Sequence, residues 1–300
     1  MKWILLCLLL VACAHLTDEV KVAFIADQGV TEESRAVLEL IKEEHADIII
    51  HQGDLGYEAN ADQWDAQITE ILGDDFPLIF SIGNHDVNEL EVYQQKLSER
   101  FKKNDANCRG TLGVMASCKY KNLLVVSSAI GLVHNPQEHL QYVQNQLDTP
   151  ALWHICSWHL NQREMQVGEK ENEAGLDIYE LCRDKGALIF TGHEHSYHRT
   201  HILSNIQKKE IADNSSPYNL KAGQTMVIVS GLGGKSIRHQ ERCLHSEKPY
   251  GCPEWAAIYT SDQDADYGAL FCTFRKNYAD CYFKDIRGRI IDEFVINRGD

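Results

Sequence analysis

The chain has 300 residues, with 44 acidic against 29 basic side chains and a formal net charge of −15. No basic stripe is present to collect phosphates, so nucleic acid is excluded as an expected partner, and an anionic substrate would need cations in its site to attract it. The length admits one large α/β domain or two, and no linker, repeat or low-complexity run divides it.

Residues 1–14 read as a secretory signal: Lys2, an apolar run over 3–12, and Ala12-Cys13-Ala14 as a cleavage site. The run is too short to cross about 30 Å of hydrocarbon, so no transmembrane segment is expected. Leu10-Val-Ala-Cys13 also fits a lipobox, which gives lipid anchoring at Cys13 as the alternative. Either way the expected location is secreted or extracytoplasmic: periplasmic, lysosomal or extracellular. Residues 15–300 are then expected to form a single domain. In an exported chain the later cysteines suggest disulfides. Their spacing invites Cys108 with Cys118, Cys156 with Cys182, Cys243 with Cys252 and Cys272 with Cys281, without excluding other pairings.

A first strand over 20–25 ends at Asp27, and a helix over 32–44 follows with Thr31 as its cap. The short run 47–50, apolar on both faces as in a covered parallel sheet, leads into Gly53-Asp54. A helix over 60–72 precedes a strand over 77–82, which runs into Gly83-Asn84, and another helix spans 89–103. Residues 112–119 and 123–128 read as a hairpin around Tyr120-Lys-Asn122. A helix over 137–148 leads to a strand over 152–157 that delivers His159, and a helix over 174–184 leads to a strand over 187–191 that delivers His193. Strands are expected at 197–206, 224–230, 269–275, 280–285 and 289–296, the last two joined by a turn at Asp285-Ile-Arg-Gly288. Residues 235–268 read as a long disulfide-pinned loop, and Asn214-Ser-Ser216 is a glycosylation sequon followed by Pro217.

The polar clusters recur just past strands: Asp27-Gln-Gly29, Asp54-Leu-Gly-Tyr57, Gly83-Asn-His-Asp86, Trp158-His159 and Gly192-His-Glu-His195. Ligands gather at the carboxyl ends of strands in α/β sheets, so these loops are expected to converge in one crevice. Taken singly, each has a plain reading: a strand-end aspartate as a turn or cap, Asn84 as a turn residue, Tyr57 as a half-buried aromatic. Together they offer carboxylate, amide, phenol and imidazole donors, which suit ions of the Zn/Fe/Mn class. Asp54 has two oxygens and can bridge two ions held roughly 3.5 Å apart. His193 and His195 diverge, so they serve two adjacent ions more easily than one. His51 and His154, in or beside strands, read as structural.

In this order the clusters resemble the calcineurin-like metallophosphoesterases, and among them the purple acid phosphatases. The superfamily's first motif, Asp-x-His, is here Asp27-Gln28-Gly29, and Tyr57 stands where that branch supplies the missing ligand. Gly83-Asn84-His85-Asp86, Gly192-His193-Glu194-His195 and Ser230-Gly-Leu-Gly-Gly234 resemble the family's later motifs. Leu160-Asn161 departs from the usual x-Pro after the histidine. The resemblance implies an α/β fold, a four-layer α/β/β/α sandwich of two mixed sheets flanked by helices. It also implies two metal ions, Fe(III) with Fe(II), Zn(II) or Mn(II). Asp27, Asp54, Tyr57 and His195 would hold the first ion, and Asp54, Asn84, His159 and His193 the second. The implied activity is that of an acid phosphatase: a metal-bound hydroxide attacks a small phosphomonoester, with His85, held by Asp86, acting on the leaving oxygen or the phosphate. The alternatives are a phosphodiesterase or nucleotidase on the same scaffold, and a secreted binding protein without turnover.

Overall fold

Alternation of side chains along the strands decides how the layers stack. The computed structural model describes residues 19–58, 60–244 and 251–299; the expected signal segment and Cys13 lie outside them. The first run is β1 (Val20–Ile25), α1 (Glu32–Glu43), β2 (Ile48–His51), α2 (Ala61–Leu72), β3 (Leu78–Phe80) and α3 (Leu90–Phe101). Thr31 caps α1 as expected, in a capping box with Ser34. The meander β4 (Asn107–Thr111), β5 (Met115–Tyr120) and β6 (Leu123–Ser128) follows, then α4 (Pro136–Leu147), β7 (Trp153–Trp158), α5 (Leu176–Asp184) and β8 (Leu188–Thr191). The remainder is strand-rich: β9 (Tyr197–Thr200), β10 (Ile202–Asn205), β11 (Glu210–Asp213), β12 (Tyr218–Leu220) and β13 (Val227–Ser230). Last come β14 (Trp255–Tyr259), β15 (Gly268–Phe274), β16 (Tyr278–Asp285) and β17 (Ile290–Arg298).

These strands form a seven-stranded sheet in the order β12-β17-β16-β15-β1-β2-β3 and an eight-stranded sheet in the order β14-β9-β13-β8-β7-β6-β5-β4. Both are mixed: β1, β2 and β3 run parallel while β15 pairs antiparallel to β1, and β6, β7, β8 and β13 run parallel between antiparallel flanks. Phe24, Ile48 and Ile50 meet Val125, Ile155 and Phe190 between the sheets, with the Phe24 and Phe190 rings stacked at 3.7 Å. The intervening residues Ala23, Ile25 and Ile49 turn outward to Val37, Ile41 and Ile68 of α1 and α2. Leu124, Val126 and Ile189 likewise face Val143 and Ile178 of α4 and α5. This is the expected α/β/β/α sandwich, and each large aliphatic side chain so buried contributes roughly 1.5–3 kcal/mol.

The four expected disulfides are present. Cys108–Cys118 and Cys272–Cys281 join directly opposed residues of antiparallel pairs, and Cys156–Cys182 ties β7 to α5. No helix among the described residues is long and apolar enough to cross a membrane.

The structure departs from the expected elements where strands lack alternation. The long strand expected over 197–206 is two strands: His201 gives its N–H to Glu254, and the chain leaves the large sheet to pair β10 with β11. The stretch expected as loop over 235–268 contains β14, whose register shift between Trp255 and Ala257 breaks the two-residue period. Edge strand β4 is largely exposed and polar, so it has no apolar pattern to recognise.

Candidate metal centre

Parallel strands β1, β2 and β3 of one sheet and β7 and β8 of the other end at the same rim, and the expected convergence follows. The loops after β1 and β2 continue the ladder beyond the sheet: Asp27, Gln28 and Gly29 donate their N–H groups to the carbonyls of Gly53, Asp54 and Leu55 at 3.0, 3.0 and 2.9 Å. The two sheets are stitched there by Ala26 N–H to the Ser230 carbonyl at 2.8 Å. Turning the chain this sharply needs unusual backbone. Asp27, Asp54, Tyr57 and His193 have φ values of 58°, 56°, 53° and 68°. Such left-handed conformations cost roughly 1–3 kcal/mol each for non-glycine residues and cluster at functional sites. Gly53 has φ 91° and packs on Gly83, where a Cβ would meet the Asp54 Oδ1 at 2.0 Å. The Asp54 carboxylate occupies the space a side chain at position 83 would need.

Two groups of ligand-type atoms result, each within 4.8 Å: Asp27, Asp54 and His195, and Asp54, His159 and His193. All are buried. Asp54 belongs to both groups, and the two histidines of Gly192-His-Glu-His195 divide between them, as their divergence predicts. Tyr57 joins the first group, its Oη lying 3.0 Å from Asp27 Oδ1 and 2.9 Å from His195 Nε2. Asn84 and His85 line the same cleft of about 230 Å³, together with Tyr57, Asp54, His193 and His195.

Outer partners aim the imidazoles. His159 donates Nδ1–H to the Gln52 carbonyl at 2.7 Å, so Nε2 faces inward, 3.3 Å from Asp54 Oδ2. His195 Nδ1 lies 2.5 Å from Ser236 Oγ. His193 gives Nε2 to Glu173 at 3.0 Å, leaving Nδ1 for the centre. Such outer contacts fix tautomer and ring orientation in metal sites. Gln52, Glu173 and Ser236 are the site residues that sequence reading misses. Only Ser236 carries a signal, its position just past the glycine-rich segment.

Asp86 differs from expectation. Its oxygens accept from Leu55 N–H at 2.9 Å and Gly83 N–H at 2.7 Å, so it braces the two ligand loops and does not hold the His85 ring. Nor does it cap the following helix through its side chain. His85, with half its side chain exposed (50 %), instead stands 4.0 Å from Asp54 Oδ2, its ring tilted at 39° to that of Tyr57 with centroids 4.5 Å apart. The structural reading of His51 and His154 holds: His51 Nδ1 accepts from Gly53 N–H, and His154 donates to the Thr149 carbonyl.

The electrostatics are those of a site built for cations. Burial, with help from Asp54, raises the Asp27 carboxyl to about 7 against the pull of His159. Burial would lower His159, but the Asp54 carboxylate outweighs it and raises the imidazole to about 9. Burial and the Asp27 and Asp54 charges push the Tyr57 phenol far above its ordinary value. Asp27 Oδ2 is buried without a hydrogen-bond partner, while His159 Nε2 is turned to the Asp54 carboxylate. An orphaned carboxylate oxygen at the centre of a carboxylate–imidazole cluster fits divalent or trivalent ions, which would relieve both the charge and the missing contact.

Known proteins place this geometry in context. Probable purple acid phosphatase 20 of Arabidopsis thaliana is 26% identical over 205 residues, 60% of this chain and 46% of the relative. Phosphoenolpyruvate phosphatase of Allium cepa is 26% identical over 253 residues, 75% of this chain and 51% of the relative. The chain therefore spans about half the length of the curated relatives it matches. Among solved structures, purple acid phosphatase PPD1 from yellow lupin (Lupinus luteus) seeds aligns with a TM-score of 0.69 at 18% identity, covering 93% of this chain and 54% of that one. GAP50, the anchor in the inner membrane complex of Plasmodium, has the same fold at a TM-score of 0.60 and 14% identity, covering 94% of this chain and 90% of that one. Residues 8–197 match the family described as calcineurin-like phosphoesterase, and with the two-sheet sandwich and its strand-end cluster this chain belongs to that family.

Proposed function

We propose that the protein hydrolyses small phosphomonoesters at a centre of two metal ions, in the manner of a purple acid phosphatase. The observation that carries this reading is the pair of carboxylate–imidazole clusters sharing Asp54, with Tyr57 wedged between Asp27 and His195. Asp27, Asp54, Tyr57 and His195 would hold one ion, and Asp54, Asn84, His159 and His193 the other. Such ions, when bound, neutralise phosphoryl charge and make water acidic enough to act as a nucleophile near neutral pH.

The protein's own groups divide the remaining work. Gln52, Glu173 and Ser236 keep three imidazoles pointed at the centre. His85 reaches over the open side of the cleft, where it can pass a proton to a leaving alkoxide or steady the phosphate. Asp86 holds the loop that carries Asn84 and His85 against the loop of Asp54. Ferric iron is the first ion this reading expects, because a phenolate donor such as Tyr57 favours a hard trivalent cation. The four disulfides support an extracytoplasmic location.

Metal analysis of protein purified without chelator tests the reading, paired with a visible spectrum and hydrolysis of p-nitrophenyl phosphate against its bis-ester. Expected are two ions per chain, a charge-transfer band that Tyr57→Phe abolishes, and preference for the monoester. Faster hydrolysis of the bis-ester would make the protein a phosphodiesterase. A chain that binds no metal and gains no activity from iron with zinc or manganese would be a binding protein.

A further inference from the structure

The rim of the cleft carries positive charge that two metal ions do not explain. Lys170, Lys235 and Arg238 all border it, in a chain whose net charge is −15. Lys235 is already committed, its ammonium bonded to both Glu58 oxygens and set over the Tyr57 ring at 4.7 Å. Arg238 has one long ion pair, to the buried Glu194 at 3.9 Å, and no carboxylate of the described residues lies within ion-pair distance of the Lys170 ammonium. The pair repels: burial, and after it the Arg238 charge, holds the Lys170 ammonium below its ordinary pKa.

Both residues are held in place by contacts that do not use their charges. Arg238 donates its backbone N–H to the His195 carbonyl at 2.9 Å, so it is tied to a residue of the metal cluster. The Lys170 carbonyl accepts from the amide of buried Gln166 at 2.8 Å. Balancing Asp27 and Asp54 is a poor explanation for these cations, because two bound metal ions would already do that. Glu194 is a single carboxylate beside two cations, and it reaches only Arg238 at ion-pair distance, so the pair leaves positive charge over the cleft that a shared anion would neutralise.

Resting on the phosphatase reading above, we propose that Lys170 and Arg238 form a second anion subsite, which selects substrates bearing a further phosphate or carboxylate close to the phosphoryl group that is cleaved. A simple aryl phosphate leaves this subsite unused, whereas a diphosphate or a phosphorylated carboxylic acid fills it. A guanidinium binds either anion through paired N–H groups, and an ammonium adds a point charge.

The test uses metal-loaded full-length protein carrying Lys170→Gln, Arg238→Gln or both, with metal content and melting temperature measured alongside. Binding of methylenediphosphonate, which cannot be hydrolysed, is compared with binding of orthophosphate by calorimetry. Values of kcat/KM for pyrophosphate and phosphoenolpyruvate are compared with that for p-nitrophenyl phosphate. Each variant should weaken methylenediphosphonate by about tenfold or more while changing orthophosphate and p-nitrophenyl phosphate by less than about threefold. Arg238→Lys should recover part of the loss. A loss shared by pyrophosphate and phosphoenolpyruvate marks a subsite for either anion, and a loss on pyrophosphate alone marks one for phosphate. Equal losses on mono- and dianionic ligands, or no loss at all, overturn the subsite. If wild-type protein hydrolyses none of these compounds yet binds methylenediphosphonate through both side chains, the phosphatase reading fails and the subsite stands.

Discussion

Asp54 carries more of the site than any other side chain. It belongs to both ligand groups, accepts the His85 backbone N–H at 3.0 Å, and fills the space beside Gly83. Asp54→Asn should therefore lower the metal content for both ions, whereas His195→Ala should chiefly affect one; element analysis after gel filtration distinguishes them. Gly83→Ala puts a methyl group where the Asp54 carboxylate lies, and overpacking of this kind costs about 1–3 kcal/mol. It should reduce metal binding more than its melting temperature suggests, because the group it displaces is the candidate ligand shared by both clusters. At this scale the donors were legible in the sequence, since donor chemistry belongs to residue type and each stood just past an apolar run. Asp86 was not: whether a carboxylate faces an imidazole or two amides depends on where the neighbouring loop lies.

Among the elements, α1 shows how a helix end is locked to a sheet. Its C-cap residue Glu44 receives Lys21 of β1 at 2.8 Å, Lys284 of β16 at 2.6 Å and the Tyr282 hydroxyl. Burial alone would raise the Glu44 carboxyl, but these three hydrogen bonds together lower it from 4.5 to about 2. A carboxylate depressed in the folded state contributes stability above its unfolded pKa and loses it as pH falls through the folded one. Glu44→Gln should thus lower the melting temperature at neutral pH, by an amount equivalent to around 1 kcal/mol for groups this exposed. The gap between variant and wild type should close as pH drops from about 4.5 to about 2. Helices and buried strands followed from periodicity and capping, as Thr31 shows. Strands β4 and β14 did not, because one is a polar edge and the other is bulged at Trp255.

For the molecule as a whole, the two sheets are joined by more than apolar contact. Arg199 of β9, only 3 % exposed, meets Asp292 of β17 through two bonds of 2.7 and 3.0 Å, and the Tyr197 hydroxyl adds a third at 2.6 Å. Asp292→Asn leaves a buried guanidinium short of its counter-charge and should cost about 3–5 kcal/mol. A lower denaturant midpoint with an unchanged slope would report that loss, and an unchanged midpoint would show that the clamp contributes nothing. The sequence by itself determined the alternation of helices with covered parallel strands, the cysteine spacings that invited the disulfides, and the residue types of the candidate metal donors. All of these are carried by residue type, by short-range period or by spacing along the chain. The tertiary structure decided which donors share a group, that Asp86 braces two loops, that Gln52, Glu173 and Ser236 aim the histidines, and that Lys170 and Arg238 border the same cleft. Those relations join residues far apart in the chain, and they exist only once two sheets bring the ends of their parallel strands to one rim.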